Sequence, residues 1–89
     1  MQDFQGTLIR AGEVVLDPVS GGIEVGTNST GFRCWSGYLR VPHGCHVGIR
    51  EQYLLQLRDG RAGLILTKGI SVRGDRWTVI QFVGSTTLQ

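Results

Sequence analysis

The chain has 89 residues, 40% of them hydrophobic, a net charge of +2 and a mean hydropathy near zero. These values describe one small domain, residues 1–89, with a thin core; they exclude a disordered chain, and no apolar run approaches the roughly 18 residues of a membrane-spanning helix. The charge is unevenly placed, −3 over residues 1–32 and +5 over 33–89, and eight of the nine basic residues are arginine, whose planar fork suits phosphate and carboxylate.

Taken in order, Phe4–Arg10 and Glu13–Asp17 read as strands joined at Ala11-Gly12, with Arg10 facing Glu13, Ile9 facing Val14 and Leu8 facing Val15. Asp17-Pro18-Val19-Ser20-Gly21-Gly22 reads as a turn, because proline presets one turn dihedral and two glycines allow the return. Ile23–Val25 is a short strand, and Gly26–Gly31 a polar, mobile loop. From Phe32 to Pro42, Trp35, Gly37, Leu39 and Val41 alternate with Ser36, Tyr38 and Arg40, one apolar face against one mixed face. Cys45–Ile49 is a further brief strand. Gly6, Gly37 and Gly63 each precede a Leu or Ile by two residues, as expected where strands bend or pass closely.

The strongest local signal is Tyr53–Thr67, two apolar runs around Asp59-Gly60. Residues 49–58 also fit a helical stripe (Ile49, Tyr53, Leu54, Leu57), but the Asp-Gly pair favours a strand. A two-residue loop pairs Leu57 with Ala62, Leu55 with Leu64 and Tyr53 with Leu66; a three-residue loop sets Leu55 against Gly63 and mixes the faces, so the first register is preferred. Thr67-Lys68-Gly69 then reads as a loop and Gly74-Asp75 as a type II′ turn pairing Val72 with Trp77 and Ile70 with Val79. The outcome is a four-strand C-terminal meander with one apolar face. Its last strand becomes apolar on both faces at Val79–Val83, and a polar tail follows over 84–89. The class is all-β, a small antiparallel barrel of SH3-like or related type, or a tight sandwich, with about six to eight short strands.

A meander of this kind brings its first and third turns to one end. Arg58, Arg61, Arg73 and Arg76 would then form a rim able to grip phosphates or an acidic surface, with Tyr38 and Arg40 a smaller stacking platform. Cys34, His43, Cys45 and His46 carry zinc-type ligands, but their spacing matches no finger or ribbon. Both cysteines are expected as small buried side chains, with no metal and no cofactor. Cys45 lacks an orienting third group, so no catalytic residue is assigned and no enzyme is expected. The N-terminus shows no export signal, and two cysteines without one fit a reducing, cytoplasmic setting. The expected function is a non-enzymatic interaction module that engages a protein partner, an anionic ligand or nucleic acid through the arginine rim. A homo-oligomeric subunit using the two-sided last strand is the alternative; no membrane association is expected.

Overall fold

Ala11 and Gly12 both adopt positive φ, 52° and 78°, the backbone that a two-residue hairpin matched to strand twist requires. They join β1 (Gln2–Arg10) to β2 (Glu13–Thr27), and Arg10 faces Glu13 and Ile9 faces Val14 as the sequence predicts. The computed structural model describes residues 1–27, 29–74 and 76–89, with the backbone alone at Val72 and Arg73. The remaining strands are β3 (Arg33–Pro42), β4 (Gln52–Leu57), β5 (Ala62–Arg73) and β6 (Trp77–Gly84). All neighbours are antiparallel, and the order β1-β2-β3-β6-β5-β4 closes back on β1. The expected small all-β barrel is therefore the fold. Residues 49–58 form no helix; β4 is a strand. Among the described residues no helix is long and apolar enough to cross a membrane.

Several local expectations are corrected. The Asp17–Gly22 turn is instead the middle of the 15-residue β2. A register shift between Gly6/Val19 and Leu8/Leu16 accommodates Asp17 and the cis-linked Pro18 as a bulge opposite Thr7, where a missing N–H costs no ladder bond. A second shift, between Leu8 and Ile9, leaves Val15 extra, so Leu8 faces Leu16 rather than the predicted Val15. Gly21 does not turn the chain but lets strands meet: a side chain on it would strike the Tyr38 carbonyl. Gly6 and Gly37 serve the same purpose against the carbonyls of Gln56 and Gly22, as the Gly-x-Leu pattern suggested.

The β4–β5 hairpin takes the register that mixed faces seemed to forbid. Gln56 faces Ala62, Leu55 faces Gly63 and Tyr53 faces Ile65, so the loop is Arg58-Asp59-Gly60 with Gly60 at φ 98°. This is the three-residue loop with glycine in the left-handed position. Its inward set is Tyr53, Leu55, Leu57, Gly63, Ile65 and Thr67, while Leu66 stands outside, 38% exposed; Ile70, opposite Ile80, shares the inner face but is 37% exposed at the open mouth. The vacancy at Gly63 is filled from β3: a side chain there would lie 2.7 Å from Trp35 Cζ2.

Thr67-Lys68-Gly69 is no loop, because β5 runs through it, with a bulge where the register shifts between Thr67/Phe82 and Gly69/Gln81. The meander thus has three strands. At its far turn Arg73 faces Thr78 and Val72 faces Val79, and Gly74 N–H donates to the Trp77 carbonyl at 2.8 Å. The predicted pairing of Val72 with Trp77 is therefore off by two; Asp75 lies outside the described residues. Ile80 and Phe82 point into the core, with Val79 and Val83 half-buried outside, so barrel closure accounts for the two-sided apolar strand.

The two ends of the barrel are sealed differently. At one, Trp35 covers Gly63 and Gly84, meets Phe82 edge-on at 5.7 Å and donates its indole N–H to the Thr86 carbonyl at 2.6 Å. The 84–89 tail is polar but not free: Ser85 pairs with Leu64 and Gln89 with Ala62 through backbone bonds. At the other end, residues 43–51 cross the mouth without forming the expected Cys45–Ile49 strand. Val47 drops into the core from this segment. Fully buried Thr67 holds it by donating its hydroxyl to the Gly48 carbonyl at 2.8 Å and accepting the Glu51 N–H at 3.1 Å.

Candidate functional site

The bulged continuity of β5 separates the four predicted rim arginines. Arg58 and Arg61 flank the β4–β5 turn at the Trp35 end of the barrel, whereas Arg73 and Arg76 flank the β5–β6 turn at the opposite end. A strand of 12 residues without the predicted internal loop sends its two turns in opposite directions, so the single rim does not form.

The two residues read as a smaller platform do come together. Arg40 donates from Nη2 to the Tyr38 hydroxyl at 3.1 Å, and its guanidinium carbon lies 5.3 Å from the ring centroid. Both lie on the outer face of β3, and the Tyr38 ring lies across Gly22 of β2, where a side chain would clash with it. Register then links this pair to the nearer arginine tip. Arg40 faces Ser20, Ser20 faces Gln5, and the Gln5 carbonyl accepts the Arg58 N–H at 2.9 Å. Three interstrand steps of about 4.8 Å put Arg40 and Arg58 roughly 14 Å apart along the backbone. A shallow groove along Asp3–Gln5 meets Arg58 and Arg61 on one side, and another meets Ser20 and Arg40 on the other.

The charges in this tract are unequal. Asp59 accepts the Arg61 N–H at 3.0 Å and its Nε at 2.9 Å, which holds the Asp59 carboxyl below its ordinary value and neutralises Arg61. Among the described residues neither Arg58 nor Arg40 has a carboxylate partner. Asp3 is the acid that borders both grooves. Arg10 faces Glu13 as predicted but forms its ion pair with Glu51, which also accepts the Tyr53 hydroxyl at 3.0 Å.

The Cys/His set does not assemble. Cys34 lies at the Trp35 end of β3, while His43, Cys45 and His46 lie over the opposite mouth, and among the described residues no three His, Cys, Asp or Glu side chains are placed to hold a metal ion. Both cysteines are exposed rather than buried. What the sequence reading missed is the cleft of about 540 Å3 lined by His43, Cys45 and His46 and floored by Val41, Val47 and Ile80. Its signal was the long 43–51 connection, which carries Val47 and Ile49 with no strand to place them in. Comparison with known protein families, with curated proteins and with solved structures finds no match.

Proposed function

We propose that this protein is a non-enzymatic binding module that engages an anionic partner across the outer face of β1, β2 and β3. One observation carries the reading: Arg40 and Arg58, both without a carboxylate partner among the described residues, stand at the two ends of the Gln5–Ser20 step. Arg40 is braced against Tyr38, so its remaining donors are pre-oriented for a phosphate or carboxylate oxygen. Gly22, the outward partner of Tyr38, keeps the floor low enough for the ring to lie across it. An acidic protein surface is the preferred partner, because a net charge of +2 with Asp3 inside the tract is poorly suited to a long phosphate backbone.

The test is fluorescence anisotropy with labelled polyglutamate and a labelled single-stranded oligonucleotide at low and high salt. The Arg40→Ala/Arg58→Ala double variant is expected to weaken polyglutamate binding roughly ten- to a hundredfold, the scale of lost charged hydrogen bonds, and to flatten its salt dependence. Arg73→Ala/Arg76→Ala is expected to leave it nearly unchanged. Equal damage from both pairs, or no binding by the parent, sinks the proposal; tighter binding of the oligonucleotide replaces the acidic protein with nucleic acid.

A second reading, a homo-oligomeric subunit, moves from β6 to another place. Beyond Ile23 the β2 strand has left β1, and before Ser36 the β3 strand has not reached β6, so Glu24–Thr27 and Arg33–Trp35 form a two-stranded ribbon that runs past the barrel end, with only the Trp35 ring turned back into the core. Val25 and Phe32 at its end are 50% and 72% exposed. Light scattering across a concentration series checks it, and a constant monomer mass removes it.

A further inference from the structure

The cleft at the mouth crossed by residues 43–51 is a different kind of site from the arginine tract. Its volume of about 540 Å3 falls within the range of small-molecule pockets, and the large aliphatic side chains of Ile49 and Ile70 line it. They are 41% and 37% exposed in a chain whose core is thin, so an apolar body between them would remove surface from water that the fold leaves wet. The polar side chains of the cleft are those of His43, Cys45, His46 and Thr78. His43 and His46 border it, and no Asp or Glu lines it among the described residues.

The charged residues beside the rim are cationic. His43 N–H is bonded to the Arg76 carbonyl at 3.3 Å, which places that cationic residue beside the rim, and Arg50 follows Ile49 directly. Neither has an ion-pair partner among the described residues. The acid on the covering segment, Glu51, is already engaged by Arg10 and by the Tyr53 hydroxyl. The covering segment is itself fixed: Arg50 N–H bonds the Thr67 carbonyl at 2.9 Å and Thr67 N–H the Glu51 carbonyl at 3.0 Å, with Arg50 held at φ 59° between them. The cleft is therefore preformed rather than a gap that collapse would close.

We propose that this cleft binds a small amphiphilic carboxylate, its apolar body between Ile49 and Ile70 and its carboxylate at the His43–His46 rim. An apolar slot with a rim of donors and cations selects against a cationic head of the same length, and that difference is what the experiment reads. Decanoate, decanol and decyltrimethylammonium are titrated separately into methyl-labelled protein below their micelle concentrations. Decanoate is expected to shift the Ile49, Ile70 and Ile80 methyls saturably, with the cation at least about tenfold weaker. Ile70→Glu, and Ile49→Glu in the covering segment as a second variant in case the first fails to fold, are each expected to weaken decanoate about tenfold or more. Arg40→Ala/Arg58→Ala is expected to leave decanoate binding intact, which separates failure here from failure of the anionic face. Non-saturating shifts, equal binding of the cation, or shifts centred away from the three isoleucines overturn the proposal. So does concentration-dependent dimerisation that protects these methyls without decanoate, which would make a second copy the occupant.

Discussion

The two ends of the barrel solve the same closure problem with opposite chemistry. At the Trp35 end, volume does the sealing: one indole fills the space left by Gly63 and Gly84, and the tail hydrogen-bonds over it. At the other end, polar groups do it: the 43–51 segment is hung on the Thr67 hydroxyl and backbone and on the Glu51–Tyr53–Arg10 cluster, with Val47 as its apolar anchor. Complementary volume leaves no residual space, whereas directional bonds fix a segment at a few points and leave a cleft between them. The cleft accordingly lies at the polar-sealed end, whereas the arginine tract runs over the outer face to the Arg58 tip at the Trp35 end.

The largest test of that contrast is Trp35→Ala. Removal of the plug should cost about 3–5 kcal/mol, a large share of the stability of a domain this size, and should lower Tm by well over 10 °C at roughly 4–8 °C per kcal/mol. A loss below about 1 kcal/mol, measured by urea unfolding, would mean that the tail rather than the ring closes this end.

Thr67→Val probes the opposite end with almost no change of shape. It strands the Gly48 carbonyl and the Glu51 amide, so a loss of about 1–3 kcal/mol is expected. Amide exchange should quicken over residues 43–51 while the Trp35 end stays protected. Uniform exchange across both ends would show that they open together, and the comparison would fail.

The smallest effect belongs to Asp59. Its carboxyl is lowered by hydrogen bonds from Arg61, so the folded state favours the ionised form. Its contribution is complete above the unfolded value of about 3.9 and is lost as pH falls through the lower folded value. Asp59→Asn should therefore remove a small part of the acid-side decline in Tm below about pH 4 and leave both barrel ends unaltered. An identical acid limb in parent and variant would show that the turn gains nothing from the pair.

How much was legible follows from how local each signal was. The alternation of Trp35, Leu39 and Val41, the Ala11-Gly12 turn and the close-approach glycines are decided within a few residues, and each reappears in the barrel. The β4–β5 register was misread because an inward glycine looks like a defect until a ring from β3 is known to occupy its place. Thr67-Lys68-Gly69 was misread as a loop because a buried threonine in a bulge makes sense only once the 43–51 segment meets its hydroxyl. That one error divided β5 in two and gathered four arginines that the fold keeps at opposite ends.

The sequence by itself determined the class. Period-two alternation, glycine turns and closely spaced short strands admit little besides a small antiparallel barrel, because each is a property of neighbours along the chain. Register at the bulges, the sealing of the two ends and the arginines that share a surface were decided only by the tertiary structure. They depend on which side chain fills which vacancy across the barrel, and that match joins residues with no relation in sequence.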